Sequence, residues 1–406
     1  MNGANRPDFF FLPSWPPVTD GVLWISLTLV VAGLLGELVF RWLRLPRIVG
    51  YTAVGTLISA AGLGITPDVA LRPGLRLIVE LALALLLFEL GARINLRWLR
   101  TNPWLLATSL VETVLTFAAV YFTLVLLGTS ATIAAGVAAL VIASSPAVVM
   151  RVASEINASG QVTERLILLT GLNTFYAVLA TTFAFGWLHA EYAGKWLTSF
   201  GHPLYLLIGS TIVAALLALA VAQLARRFDL RDENSTLPLL GLIVLAVSIT
   251  RMANLSTLLV PLLAGIMLRN TTERPWIWPR HFGTAGGVLV LMLFVITGSV
   301  WSIDALMVGA GLGVAIIVAR VLAKLVTTTA FSRPSGISFK QGAALGLAMA
   351  PVSGPPLILM ADLQNLYPDF AASLTGIVFS AVAVLELIGP IAVQLALRWT
   401  REDHSR

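Results

Sequence analysis

The sequence predicts an all-α membrane protein of about thirteen transmembrane helices, two of them broken and related as inverted repeats, and three observations predict it. Of 406 residues, 58% are hydrophobic and 11% are charged, well below the roughly 25% charged share of an ordinary soluble domain. The apolar stretches reach about 20 residues, the length a helix needs to cross a hydrocarbon core of about 30 Å. Matching Ser-Pro segments interrupt two of those stretches.

Taken in order, residues 1–21 lack a basic n-region and a small-residue cleavage site, and read as an extracytoplasmic arm. Phe9, Phe10, Phe11, Trp15, Pro16 and Pro17 suit a membrane interface. A single transmembrane domain follows over 22–397. The first span, 22–40, closes on Arg41 and Arg44. The second, 47–62, opens at Arg47 and is short; the third, 76–94, runs from Arg76 to Arg93. Beyond Arg97 and Arg100 comes the fourth, 104–127, then the fifth, 131–152, which ends beside Arg151. The sixth, 163–188, opens near Arg165, and the seventh, 203–224, leads to Arg226, Arg227 and Arg231. The short eighth and ninth spans, 235–250 and 254–269, flank Arg251 and precede Arg269, Arg274 and Arg280. The tenth and eleventh, 282–301 and 304–326, lead to Arg333 and Lys340. The twelfth and thirteenth, 339–360 and 371–397, end at Arg398, and 398–406 is a cytoplasmic tail.

Lys and Arg collect in cytoplasmic loops. With the N-terminus outside, nineteen of the 26 basic residues fall inside and five fall outside: Arg6, Arg72, Arg76, Lys195 and Arg251. A miscounted helix would scramble this alternation. It therefore predicts a multi-pass protein of the cell membrane, N-terminus outside and C-terminus in the cytoplasm. Arg320 and Lys324 are left over, inside the eleventh span.

Several classes are disfavoured. The absence of cysteine removes disulfides, thiolate metal sites and thiol catalysis. His189, His202, His281 and His404 lie in loops or the tail without ligand spacing, so no metal is expected. No Ser/His/Asp pattern or protease-type carboxylate pair occurs in the spans, and the loops are too short to hold a nucleotide domain, so neither an enzyme nor a cofactor is expected. The net charge of +6 lies in the short loops with no basic run interleaved with aromatics, so the expected partner is the lipid bilayer and not nucleic acid.

Span five carries Ser144-Ser145-Pro146 followed by Ala-Val-Val-Met150, and span twelve carries Ser353-Gly354-Pro355-Pro356 followed by Leu-Ile-Leu-Met360. Seven crossings separate them, an odd number, so the copies run in opposite directions. Proline removes a backbone donor and clashes with the preceding turn, so each span should break there. Non-helical backbone at membrane depth is tolerated only in protein or around a water-filled cavity. A matched pair of broken helices is a sequence pointer to a transporter's site; two ordinary proline kinks are the plainer alternative.

Other segments carry a resemblance. Arg44-Leu45-Pro46-Arg47-Ile48-Val49-Gly50-Tyr51 with Gly55, Leu86-Leu87-Phe88-Glu89-Leu90-Gly91, the Ser144-Ser145-Pro146 break and Gly346-Leu347-Ala348-Met349-Ala350-Pro351 together resemble the monovalent cation:proton antiporter superfamily. Within it they are similar to the sodium/hydrogen exchanger branch of bacterial sodium/proton and potassium-efflux antiporters. The resemblance implies inverted repeats, a core domain in which two broken helices cross, a scaffold or dimer part, and a homodimer. It implies Na⁺ or K⁺ exchanged for protons by an elevator-like movement, with both ions competing for a carboxylate beside the crossing.

That carboxylate is missing. The family's acid falls at Leu172-Asn173-Thr174-Phe175, where Asn173 and Thr174 offer oxygen but cannot titrate. Val352-Ser353-Gly354-Pro355 likewise replaces an Arg-Gly-Glu or Gly-Gly-Glu segment. Among other acids, Glu37, Glu80 and Glu89 lie near span ends and read as interfacial, and Glu386 reads as structural. Glu112 is deeper, at the depth of Arg320 on span eleven, the inverted counterpart of span four. The resemblance places on span eleven a basic residue that pairs with the acid or neutralises a broken-helix end, and either Arg320 or Lys324 fits. The plainer alternatives are a structural charge pair for Arg320 and snorkelling for Lys324. Ion or substrate contacts are expected from Ser144, Ser145, Ser353, Asn173, Thr174, Glu112, Arg320 and Lys324. The expected function is cation/proton antiport using displaced acids, Glu112 foremost. The alternatives are a carrier of a neutral or anionic solute on the same fold, suited to a net-positive site, or a non-transporting regulatory relative.

Overall fold

The structure, a computed structural model, describes residues 21–63, 73–193, 196–228, 236–271, 282–300 and 303–404. The expected arm therefore lies outside the described residues, apart from Gly21. Regular structure among the described residues is entirely helical. The helices are α1 (Gly21–Leu43), α2 (Arg47–Ile58, continued by a π-helical turn, Ser59–Leu63), α3 (Pro73–Arg93), α4 (Leu96–Thr101), α5 (Pro103–Leu126), α6 (Ala131–Leu140), α7 (Pro146–Glu155) and α8 (Gln161–Ala193). They continue with α9 (Trp196–Arg227), α10 (Thr236–Met252), α11 (Leu259–Thr271), α12 (Phe282–Ser299), α13 (Ile303–Ala330), α14 (Phe339–Ala348), α15 (Gly354–Leu366) and α16 (Pro368–Trp399).

These helices account for the thirteen predicted spans. Span five is the half-helix pair α6 and α7, and span twelve is the pair α14 and α15. Short α4 joins spans three and four, its N-terminus capped by the Asn95 side chain, which accepts from Arg97 N and Trp98 N. The ninth span starts five residues later than predicted. The chain leaves α10 through Asn254, which adopts a left-handed φ of 49°, a conformation that ends a right-handed helix and that Asn tolerates better than most residues.

The outward faces are apolar where a soluble protein's would be polar: Leu34, Val114, Phe122, Leu219 and Val326 are all exposed. Such a surface suits hydrocarbon. Polar groups are drawn inward, with Glu112, Asn173, Arg320, Lys324 and Glu386 all fully buried.

The helices pack into two groups. In the first, α13 lies against α5, α14 and α16, while α6, α7 and α8 complete the bundle. In the second, α2 packs on α1 and α12, and α11 packs on α3 and α9. The α3–α11 contact is backbone on backbone: a Cβ on Gly91 would sit 2.3 Å from Leu262 O, and one on Gly265 would sit 2.3 Å from Phe88 O. Such small-residue contacts are how membrane helices approach closely without a hydrophobic drive. The two groups meet where α8 touches α9, α3 touches α7, α8 and α15, and α16 touches α2. Residues 402 and 404, after α16, dock on the α7–α8 connection. Ser159 N donates to Glu402 O at 3.1 Å, and His404 N donates to Ile156 O at 3.1 Å.

Candidate functional site

The site begins with the two interruptions. After α6 ends at Leu140 and α14 at Ala348, the chain unwinds, then resumes as α7 from Pro146 and α15 from Gly354. The unwound stretches bind each other. Ser145 N donates to Pro351 O at 2.9 Å, Ser144 Oγ donates to Met349 O at 2.9 Å, and the Ser145 and Ser353 hydroxyls are hydrogen-bonded together. Ser145 Oγ also accepts from Val148 N, capping α7, and Pro146 occupies the first helical turn, where its missing N–H costs nothing. At the other break, Pro355 and Pro356 fill the first turn of α15, and Gly354 leaves room for the Leu83 side chain of α3.

A helix C-terminus carries unpaired carbonyls and a partial negative charge, and two such ends converge here. Arg320 of α13 serves both. Its Nε donates to Val141 O at 2.8 Å, and its Nη2 donates to Ala143 O at 2.9 Å and to Met349 O at 3.2 Å. Nη1 donates to Ala350 O. The five-donor fork of guanidinium can spread over several carbonyls in this way, which a lysine ammonium could not match.

One turn along α13, Lys324 forms a fully buried ion pair with Glu112 of α5 and reaches toward Ile142 O at 3.4 Å. Thr116 Oγ1 donates to the same Glu112 oxygen at 3.0 Å. The other carboxylate oxygen, Oε2, has no hydrogen-bond partner among the described residues.

The two cations of span eleven thus divide the work that the sequence reading assigned to either of them. Arg320 is not the partner of Glu112 despite the shared depth; it neutralises the broken-helix ends. Lys324 does not snorkel, since its side chain is wholly buried, and Glu112 fixes it there. Asn173 and Thr174 are also fully buried. Asn173 Oδ1 accepts from Thr113 Oγ1 at 3.4 Å, on the residue after Glu112, while its Nδ2 is unpartnered among the described residues. Thr174 turns its hydroxyl onto its own helix, at Thr170 O.

The remaining acids separate. Glu37 pairs with Arg41 at 2.5 Å and Arg47 at 2.8 Å, and Glu89 pairs with Arg93 at 2.7 Å, all partly exposed as their positions near span ends predicted. Glu80 is instead fully buried, held by Arg76 at 2.6 Å and by Arg251 at 3.5 Å. Arg76 also reaches Asp362 of α15 at 2.6 Å, so it ties the two helix groups together. At the opposite end Arg47 pairs with Glu155 of α7 at 2.8 Å and does the same. A cavity of about 540 Å³ opens beside the first of these ties, between α8 and α15 on one side and α3 and α9 on the other.

Sequence reasoning did not find Thr116, Asp362, or the carbonyls that Arg320 binds. The spacing of four between Glu112 and Thr116 is a usable helical signal. Nothing in the sequence marks which carbonyls a break leaves open.

A family model described as "Sodium/hydrogen exchanger, transmembrane" matches residues 26–399. No curated protein matches the sequence. Among solved structures, the fold is similar to that of the sodium proton antiporter MjNhaP1 from Methanocaldococcus jannaschii at pH 8, with a TM-score of 0.69 and 17% identity over 93% of this chain and 95% of that one. An electron-microscopy structure of the same antiporter gives a TM-score of 0.68 and 18% identity over 94% of this chain and 97% of that one.

Proposed function

The chain belongs to the sodium/hydrogen exchanger family, and from that premise we propose that it exchanges a monovalent cation, Na⁺ or K⁺, for protons by an elevator-like movement of the first helix group against the second. The observation that carries the proposal is the buried Glu112–Lys324 pair beside the crossing, where Asn173 and Thr174 supply no charge. Glu112 keeps one oxygen unpartnered, and the next residue, Thr113, donates to Asn173 Oδ1. A cation taken at that oxygen adds a positive charge to a site that holds one of each sign. Uncompensated charge is expensive at this depth, so the Lys324 ammonium gives up a proton to water, and the two ions exclude one another. The loop charges support an N-terminus outside and a C-terminus in the cytoplasm, and the family resemblance supports a homodimer.

The test is purified protein in liposomes with an internal pH dye. Addition of Na⁺, K⁺ or Li⁺ should produce proton flux; silence with all three across neutral and alkaline pH would remove the reading. Glu112→Gln should abolish the flux, and unchanged exchange in that variant would take the role from Glu112.

A second reading, transport of an anionic or neutral solute on the same machinery, is favoured by one feature. The N-termini of α7 and α15 open on the crossing beside Ser hydroxyls and no carboxylate, and such ends attract negative charge. Anion binding that disappears in Arg320→Gln would favour it.

A further inference from the structure

Glu386 of α16 plays no part in the exchange scheme above, yet it is an acid with no ion pair among the described residues. It is fully buried. Its carboxyl meets one side chain, Thr297 of α12, through Oε1, and its Oε2 has no hydrogen-bond partner among the described residues. α16 belongs to the first helix group and α12 to the second, so this bond spans the seam between them.

The charges described on the packed elements are paired or placed elsewhere. On α13, Arg320 binds carbonyls and Lys324 binds Glu112. On α2, Arg47 pairs with Glu37 and with Glu155 of α7, and Arg151 of α7 is directed to Tyr51. On α15, Asp362 pairs with Arg76; on α14, Lys340 lies over the Trp399 ring. On α16 itself, Arg398 pairs with Asp403 and Asp369 sits in the first turn. Neither α6 nor α12 carries a titratable residue.

The surroundings are short of donors as well as cations. The Thr297 hydroxyl has a single hydrogen and faces three acceptors: Leu293 O at 2.9 Å, Phe294 O at 3.4 Å, and Glu386. Pro390, inside the same helix, has no N–H to give the Glu386 carbonyl one turn back. A proton on the carboxyl supplies the donor that this corner lacks, whereas an ionised carboxylate would sit there uncompensated.

We propose that Glu386 is a second proton-binding site, one that holds the two helix groups together while its proton is bound and releases them when the proton leaves. The crossing is close by. A Cβ on Gly389, within a turn of Glu386, would sit 2.8 Å from the Pro351 ring in the unwound stretch of span twelve. Gln394 lies two turns along on the same face, with Oε1 unpartnered among the described residues and Nε2 donating to Arg44 O at 3.0 Å. Loss of the proton turns a neutral contact into a buried charge, which drives the first group to a position where water reaches the carboxyl.

The coupling to movement rests on the exchanger reading; proton binding does not. The experiment therefore reads the two separately. Infrared spectra of the purified protein in lipid should show a protonated-carboxyl C=O band that is absent from Glu386→Gln and retained in Glu112→Gln. Glutamine keeps the neutral shape and a donor, so the variant is expected to fold. If it does not, Thr297→Val removes the one hydroxyl and should shift the same band. A band unchanged in both variants overturns the proposal. In liposomes, Glu386→Gln should lose the pH dependence of exchange; an unaltered pH profile, with the band gone, overturns the coupling role. If the wild type exchanges no cation but shows the band, the function proposed above fails while the proton site stands.

Discussion

Replacing Arg320 by Met tests whether the crossing is held together by charge and hydrogen bonding at the half-helix ends. Four main-chain carbonyls, at Val141, Ala143, Met349 and Ala350, accept from its guanidinium, and the side chain is fully buried. A buried acceptor left without a donor costs about 1–3 kcal/mol, so four put the gross loss at about 4 kcal/mol or more. Each half-helix end also loses a neutralising charge worth roughly 0.3–1 kcal/mol. Against this, methionine needs no desolvation of an ion, which returns part of the loss. The expected net destabilisation is about 3–5 kcal/mol, the range seen when one partner of a buried ionic arrangement is removed. Arg320→Lys keeps the charge but only three donors, and should lose about 1–2 kcal/mol. Denaturant unfolding in mild detergent, followed by fluorescence of the chain's 11 tryptophans, reads the difference. An Arg320→Met protein within about 0.5 kcal/mol of wild type would refute the reasoning, because the carbonyls would then be satisfied without the guanidinium.

Other outcomes follow from the same geometry. Thr174→Asp places a carboxylate where the family resemblance expects one; it should raise cation-dependent proton flux in liposomes, and unchanged flux would show that the site does not use that position. Ser145→Ala removes the cap of α7 and the hydroxyl contact with Ser353, and should lower unfolding stability by about 1 kcal/mol. Asp362→Asn breaks a half-exposed pair with Arg76, so stability should change by less than about 1 kcal/mol, while the exchange rate should shift because the pair joins the two helix groups. Glu402→Ala strips the N-terminus of α8 of the carboxylate that accepts from Val162 N at 2.8 Å and Thr163 N at 2.7 Å, and thermal unfolding should report a loss of about 1–2 kcal/mol.

The parts of this architecture that are written locally could be read from the chain. Ser144-Ser145-Pro146 and Ser353-Gly354-Pro355-Pro356 announce their breaks because proline and glycine act on their own backbone. Arg320 and Lys324 stand out because a charge in an apolar run has no other explanation than a partner. Which partner each takes was not legible. Both lie on one face of α13, and only the packing of α5 and the two half-helices decides that Lys324 meets Glu112 while Arg320 meets carbonyls. Glu80 illustrates the opposite error: its place near the start of a span suggested the interface, but Arg76, one turn back on the same helix, and Arg251, from the distant α10, close over it. Asp362 sits just past the apolar run of span twelve, where a carboxylate draws no attention until α3 is packed against it.

The docking of Glu402 has a consequence for how the molecule is made. The first turn of α8 is capped by a residue 240 positions further along the chain. A nascent protein that has inserted every span up to the thirteenth still has α8 beginning without that carboxylate. The first repeat is therefore capped by the end of the second, and biogenesis acquires an ordering in time: the sixth helix can thread the bilayer early, but its cap closes only after the last turn of α16 and the residues behind it have been made.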